Sequence, residues 1–260
     1  MAIIALNWHS AHLYGEAWIS HHRLRHRMFV DRQQWRVPSF AGLEYDQFDT
    51  PAAVYLLWLD EQGQARGVVR LIPTLRPYMV QTLWPELLPQ RPPVDSRIWE
   101  ASRFGCDSDL EPAKRRRIIA ELICGCQEFA LYCGISRYLA VMPQWIFERV
   151  MRRSGCEVRY AGPPQRIGRH EVCAAYLPAS AAILARIRRR CGIDGSVLHP
   201  VAATASDSMM RYGSATASGR RRPRGRRIAP SALPFPVSKG MPMPSKAEPA
   251  CIPGAKPCSH

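Results

Sequence analysis

The chain has 260 residues, with 36 Lys and Arg against 21 Asp and Glu, for a net charge of +15. This length allows one large domain or two small ones; no apolar run approaches the roughly 18 residues needed to span a bilayer, and the first apolar run, Ala2 to Leu6, is too short for a signal peptide. Nine cysteines, an odd number without a secretory context, point to reduced thiols and a cytoplasmic protein.

Composition divides the chain. All seven Trp precede Cys191, whereas residues 192–260 hold ten Pro, seven Gly and two aromatics, Tyr212 and Phe235. Such a segment cannot bury enough apolar surface to offset its ordering entropy. We therefore expect a folded domain over 1–191 and a disordered basic tail over 192–260. The tail's Arg220–Arg227 run would bind any polyanion without specificity. No helix-turn-helix, zinc finger or aromatic RNA platform accompanies it, so nucleic-acid binding is a minor reading confined to the tail.

In chain order, Leu13, Ala17, Leu24 and Met28 fall on one helical stripe between His12 and Phe29, with Arg25 beside it. His21, His22 and His26 lie on the same helix and are expected to be exposed rather than to bind metal. Residues 30–50 are irregular and carry Trp35, Glu44, Asp46 and Asp49; such a loop often folds over a ligand. Ala53–Asp60 and Ala65–Thr74 form a hairpin, in which Arg70 sits among apolar neighbours and needs a carboxylate, a phosphate or a route to water. A Pro-rich stretch follows, with a short helix expected within 79–88.

Ile98 to Asp107 reads as a strand that carries Glu100 and Arg103. Side chains three apart point to opposite faces of a regular strand. For both to reach one site the strand must bulge or end there; otherwise the pair is a structural one at a sheet edge. Capping residues before Pro112 open a helix to about Cys133 that Gly134 stops. A strand at 138–142, a helix at 145–154, strands at 157–160 and 171–177 and a last helix to Gly192 complete a mixed α/β or α+β sheet flanked by helices, not a doubly wound dinucleotide fold. Cys124 and Cys126 lack a zinc-ligand spacing, and no metal site is expected.

Taken together, Arg25-His-Arg-Met-Phe29, Trp35, Glu44-Tyr-Asp46-Gln-Phe-Asp49, Gly67-Val-Val-Arg70, Pro77-Tyr78-Met79 and Trp99-Glu100-Ala-Ser-Arg103-Phe104 resemble the LuxI-type acyl-homoserine-lactone synthase (autoinducer synthase) family over about residues 1–180. The resemblance implies an N-acetyltransferase-like twisted sheet with a V-shaped cleft. It implies two substrates, S-adenosylmethionine and an acyl thioester of acyl carrier protein or coenzyme A, and no cofactor. Within it Glu100, Arg103 and Asp46 are the candidate catalytic residues, with Glu100 favoured as the base that deprotonates the attacking amine. Asp46, Asp49 and Glu100 suit the cationic parts of S-adenosylmethionine. Arg25, Arg70 or Arg103 suits its carboxylate, and Phe29 and Trp35 suit the adenine or sulfonium.

Trp84, Trp99, Met142 and Trp145 are the candidates for the acyl pocket. In the family a threonine on the strand before the penultimate helix accompanies 3-oxo products; Tyr138–Met142 has none, so donors without a 3-oxo group are expected, and crowding by the four bulky side chains favours short, branched or flat chains. An acidic carrier protein would dock on a basic face, for which Arg149, Arg152 and Arg153 are favoured over Lys114–Arg117. A rival reading, an acetyl-coenzyme A N-acetyltransferase of the same fold, is disfavoured because the turn at 104–112 has one glycine and several acids where a pyrophosphate would sit.

Overall fold

The computed structural model describes residues 2–167 and 170–199. The chain opens on β1 (Ala2–Asn7), then α1 (Gly15–Arg25), whose path continues in wider turns to Arg32. A small hairpin, β2 (Ser39–Phe40) and β3 (Leu43–Glu44), precedes the long hairpin β4 (Val54–Leu59) and β5 (Ala65–Pro73). Next come α2 (Met79–Leu83), β6 (Ile98–Cys106), α3 (Pro112–Cys133) and β7 (Arg137–Pro143). The chain continues as α4 (Gln144–Ile146, extended by wide turns to Arg152), β8 (Arg159–Tyr160), β9 (Gln165–Ile167), β10 (His170–Pro178), α5 (Ala181–Cys191) and β11 (Leu198–His199).

One mixed sheet runs in the order β11-β1-β4-β5-β6-β7-β10-β8, with β9 also on β10. Its pairs are antiparallel except β1 with β11 and β6 with β7. Side chains alternate along each strand, so the sheet buries two cores. On one face Leu56, Trp58, Val69 and Leu71 meet α3 and α5. On the other, Tyr55, Leu57, Val68 and Ile72 meet α1 and the segment around Tyr78. This is the helix-flanked mixed sheet that the motifs implied.

Local chemistry explains several boundaries. Pro112 sits in the first turn of α3, and Gly134 ends the helix with φ 69°, a left-handed cap that a residue with a Cβ adopts at a cost. Ser180 caps α5 by accepting from the Ile183 N–H. Leu13, placed on the buried stripe by periodicity, is about half exposed, because α1 begins only at Gly15.

The expected domain end at Cys191 falls short. Residues 192–199 belong to the fold: the Glu128 carboxylate accepts from Ser196 Oγ and from the N–H groups of Val197 and Leu198, and so seats β11 beside β1. The tail reading over residues 200–260, with its polyanion binding, lies outside the described residues. Among the described residues no helix is long and apolar enough to cross a membrane.

Candidate active site

Arg103 reaches the α1 face because β6 bulges. Val68 and Arg70 of β5 stand opposite Gly105 and Ser102 of β6, so two steps on one strand face three on the other. The extra residue is Arg103, at φ 54°. A non-glycine residue in this left-handed region costs about 1–3 kcal/mol and persists only where its surroundings hold it. Ser102 and Arg103, consecutive in sequence, thus serve the same side. Ser102 Oγ accepts from Arg70 Nε at 3.1 Å.

What holds Arg103 is a closed ring of charge. Arg25 donates Nε to Glu44 and both Nη groups to Asp49, the latter at 2.8 Å each. Arg70 donates to Asp46 at 2.6 and 3.0 Å and to Asp49 at 2.9 Å. Arg103 donates through Nη2 to Glu44 at 2.9 Å and to Asp46 at 2.7 Å. Each arginine joins two carboxylates and each carboxylate two arginines, so three positive and three negative side chains form a neutral cycle.

All six are buried or nearly so, which makes mutual pairing and hydrogen bonding obligatory. Burial alone would drive the Arg25 guanidinium down, but Asp49 and Glu44 hold it above its ordinary value. Burial would raise Asp49, yet Arg25, Arg70 and the Tyr55 hydroxyl hold it well below the usual carboxylate range. Arg25, placed by periodicity only beside the apolar stripe, is entirely enclosed.

This arrangement revises the division of labour expected from sequence. In this structure Asp46 and Asp49 face arginines rather than an open cation site. Glu44, part of the motif but assigned no role, sits at the centre of the cycle. Its signal was the spacing Glu44–Asp46–Asp49, three acids in six residues.

Glu100 does not pair with Arg103. Its carboxylate accepts from the N–H groups of Met79 (3.0 Å) and Val80 (2.8 Å) at the start of α2. Burial pushes its pKa up against these two hydrogen bonds. A buried carboxyl with a raised pKa and no cation bonded to it is suited to taking a proton. Phe29 stacks on Trp35 at 5.0 Å, and the Arg103 guanidinium lies 5.3 Å over the Phe29 ring.

His21 and His22, expected at the surface, are fully buried. The buried face of α1, which also carries Ala17, Ser20, Leu24 and Arg25, turns them onto the sheet, where four rings line up. Tyr45 stacks on His22 at 3.6 Å, His22 meets His21 at 3.9 Å, and His21 meets Tyr55 at 4.5 Å. His22 Nδ1 bonds the Glu44 carbonyl at 2.8 Å, and Tyr55 donates to Asp49 at 2.6 Å, so the stack braces the ring from behind.

Burial, then the neighbouring positive charge of Arg25, pushes His22 down to about 4, and burial holds His21 well below its ordinary value. The unfolded chain therefore takes up these protons near pH 6.5, where the folded protein refuses them. Stability is full above that pH and falls as pH drops toward 4. For His22 alone the expected loss between pH 6.5 and 5 is about 2 kcal/mol. Denaturant titrations at several pH values should show it, and His21→Phe with His22→Phe should flatten the dependence.

The cleft lies beside the ring. β6 and β7 pair in parallel from Ile98↔Arg137 only to Ala101↔Ala140, yet β6 continues to Cys106 and β7 to Pro143. Past that last pair the two strands are no longer bonded to each other, and Ser102 and Arg103 follow on β6. On the opposite face Ala101, Phe104, Ala140, Met142, Cys126, Tyr138 and Met151 are among the residues that line an apolar cavity of about 30 Å³.

Of the four side chains expected to form one acyl pocket, only Met142 lines this cavity. Trp99 turns against Phe129 and donates to the Ser96 carbonyl. Trp84 belongs to the α1 face. Trp145 is 58% exposed, because α4 buries Phe147 and Met151 instead. The four do not converge: Trp99 and Met142 share the α3 face, Trp84 lies across the sheet from them, and Trp145 is at the surface.

Arg149, Arg152 and Arg153 are exposed. Arg152, however, bonds Glu148 and the Val158 carbonyl, and the wide turns of this segment depart from the i, i+3, i+4 spacing that would put the three on one side of an ideal helix. Asp107, counted among the acids that would repel a pyrophosphate, is buried against Arg27 (2.7 Å) and Arg66 (3.1 Å). The described residues contain no cluster of three or more metal-ligating side chains.

Where β6 and β7 part, a charged basin lies on one face and an apolar cavity on the other, an arrangement suited to one polar and one apolar substrate group. The sequence profile of the autoinducer synthases matches residues 12–187, and the chain belongs to that family. It is similar to the acyl-homoserine-lactone synthase of Pseudomonas aeruginosa, with 32% identity over 161 residues, 60% of this chain and 77% of the relative. The isovaleryl-homoserine lactone synthase of Bradyrhizobium diazoefficiens is 33% identical over 200 residues, 75% of this chain and 87% of the relative. Among solved structures, a coenzyme A-dependent acyl-homoserine lactone synthase, BjaI, with SAM and isopentyl-CoA superposes with a TM-score of 0.71 at 29% identity, covering 82% of this chain and 98% of that one.

Proposed function

We propose that this acyl-homoserine-lactone synthase joins S-adenosylmethionine to a short, branched acyl group carried by coenzyme A. The observation that carries the reading is the fork itself. Beyond Ala101 and Ala140 no ladder bond joins β6 to β7, and the ring lies on one face of the sheet while the cavity, lined by Ala101 and Ala140 themselves, lies on the other. An acyl chain in the cavity presents its thioester carbonyl at the gap, and an amine held on the ring side reaches that carbonyl. Holding both reactants in line lowers the barrier by positioning.

The steps follow from the groups present. Glu100, directly or through water, takes a proton from the substrate ammonium. The amine nitrogen attacks the thioester carbonyl, and the C–S bond breaks to release coenzyme A thiol. The methionyl carboxylate then attacks the γ-carbon, and the C–S bond to the sulfonium breaks to release methylthioadenosine. A sulfonium leaves readily, so closure asks chiefly for geometry. Phe29 and Trp35 offer the aromatic face for the sulfonium or adenine. Glu44, Asp46, Asp49, Arg25, Arg70 and Arg103 form the floor on which the substrate is oriented.

The cavity and the relatives favour a short branched chain. A cavity of about 30 Å³ holds little beyond a few methyl-sized groups without movement of Met142. No hydroxyl on β7 faces it to pair a 3-oxo group, except that of Tyr138, which already donates to the Cys126 carbonyl. A ketone buried without a donor costs about 1–3 kcal/mol.

The coenzyme A donor is favoured by the isovaleryl relative and the coenzyme A-dependent neighbour, and the pairing of Asp107 removes one objection to a pyrophosphate. Docking of an acidic carrier protein on Arg149, Arg152 and Arg153 is the second reading. Met142→Ala should shift preference toward longer chains, by about fourfold in kcat/KM for each methylene admitted, at about 0.8 kcal/mol each. A series of straight and branched coenzyme A thioesters measures this; an unchanged profile would place the acyl chain elsewhere.

A further inference from the structure

The ring satisfies its guanidinium groups unequally. All three nitrogens of Arg25 bond carboxylates. Arg103 spends Nε and Nη2 on Glu44 and Asp46, while the sole acceptor for Nη1 among the described residues is the thioether of Met79, at 3.4 Å. Arg70 Nη2, already on Asp46, points at the same sulfur, also at 3.4 Å. Two buried cationic donors thus converge on one neutral sulfur, a weak acceptor. A carboxylate at that point would make charge-assisted bonds about twice as strong as neutral ones.

Met79 is built to move only its side chain. Its backbone N–H is fixed on Glu100 at 3.0 Å, whereas the unbranched side chain has three rotatable bonds. The same residue therefore touches the candidate base through its backbone and the free edges of two arginines through its sulfur.

We propose that Met79 is a removable place-holder for the substrate carboxylate: its sulfur occupies the Arg103 Nη1 and Arg70 Nη2 donors in the empty enzyme and yields them when the methionyl carboxylate of S-adenosylmethionine enters. The proposal rests on the reading that this basin takes S-adenosylmethionine. It accounts for an arginine nitrogen left on a thioether inside an otherwise fully paired ring. It also puts the substrate amine, one carbon from the carboxylate, on the Glu100 side.

A place-holder competes with the ligand, so removing its sulfur should tighten binding. Met79→Leu keeps the bulk without the acceptor, and Met79→Ala removes both. Calorimetric titration of wild type and both variants with S-adenosylmethionine and, separately, with methylthioadenosine, which has no carboxylate, distinguishes the effects. We expect S-adenosylmethionine to bind the variants roughly fivefold tighter and methylthioadenosine to bind as in wild type. Equal changes for both ligands, or weaker S-adenosylmethionine binding in both variants with methylthioadenosine unchanged, would overturn the place-holder role. Failure of wild type to bind S-adenosylmethionine at all would overturn the site reading itself, and this proposal with it.

Discussion

Glu44→Ala is expected to lower the melting temperature by roughly 10 °C and to abolish lactone formation. Glu44 is buried and bridges Arg25 and Arg103. Its removal leaves two enclosed guanidinium groups short of a counter-charge, a change that costs about 3–5 kcal/mol. In a folded domain of this size each kcal/mol shifts the midpoint by about 2–4 °C. The strained φ of Arg103 loses one of its restraints at the same time. Glu44→Gln, which keeps an acceptor oxygen, should fall between the two. A thermal scan beside the activity assay tests this, and a Glu44→Ala protein as stable as wild type would mean that the ring is not closed in solution. By the same reasoning Asp46→Asn and Arg70→Ala will disturb the fold as well as the chemistry, so loss of activity in those variants does not by itself identify a reacting group.

Glu100→Gln separates the two effects better. Glutamine retains one acceptor for the N–H groups of Met79 and Val80 but turns an N–H₂ toward the other, a loss of about 1–3 kcal/mol. The catalytic loss should be larger, about 100- to 10,000-fold in kcat, if the carboxylate takes the amine proton. The pH profile carries the sign. Because burial raises the Glu100 pKa, wild-type activity should rise as pH climbs through that raised value and the carboxylate forms. The variant should lose that limb while its affinity for S-adenosylmethionine changes little. A variant that keeps the limb and near wild-type turnover would remove Glu100 from the reaction and leave it as an anchor for α2.

Much of this site was legible in the sequence because charge in an apolar strand has few explanations. Arg70 among Val68 and Ile72 needed a carboxylate, a phosphate or a route to water, and Asp46 and Asp49 supply the first. For Glu100 and Arg103, three apart, to serve one site the strand had to bulge or end, and β6 has a bulge at Arg103. What the pattern did not reveal was pairing. Motif spacing shows which charges gather, but their partners depend on how the 44–49 loop folds back, a tertiary matter.

The histidines were misjudged because exposure was inferred from polarity. His21 and His22 are buried through ring stacking with Tyr45 and Tyr55, which helical periodicity does not encode. The acyl residues were misplaced because four large side chains near a cleft in sequence were assumed to converge in space. The strands β1, β2, β3, β9 and β11 were missed because they are short or lack alternation, and their pairing comes from neighbours far along the chain.

The most direct test of the central claim is product stoichiometry with purified protein, S-adenosylmethionine and isovaleryl-coenzyme A, followed by mass spectrometry. Transfer at the fork followed by closure predicts one acyl-homoserine lactone, one free coenzyme A thiol and one methylthioadenosine per turnover. Thiol release without methylthioadenosine, or an acyl group delivered to a different amine, would contradict it.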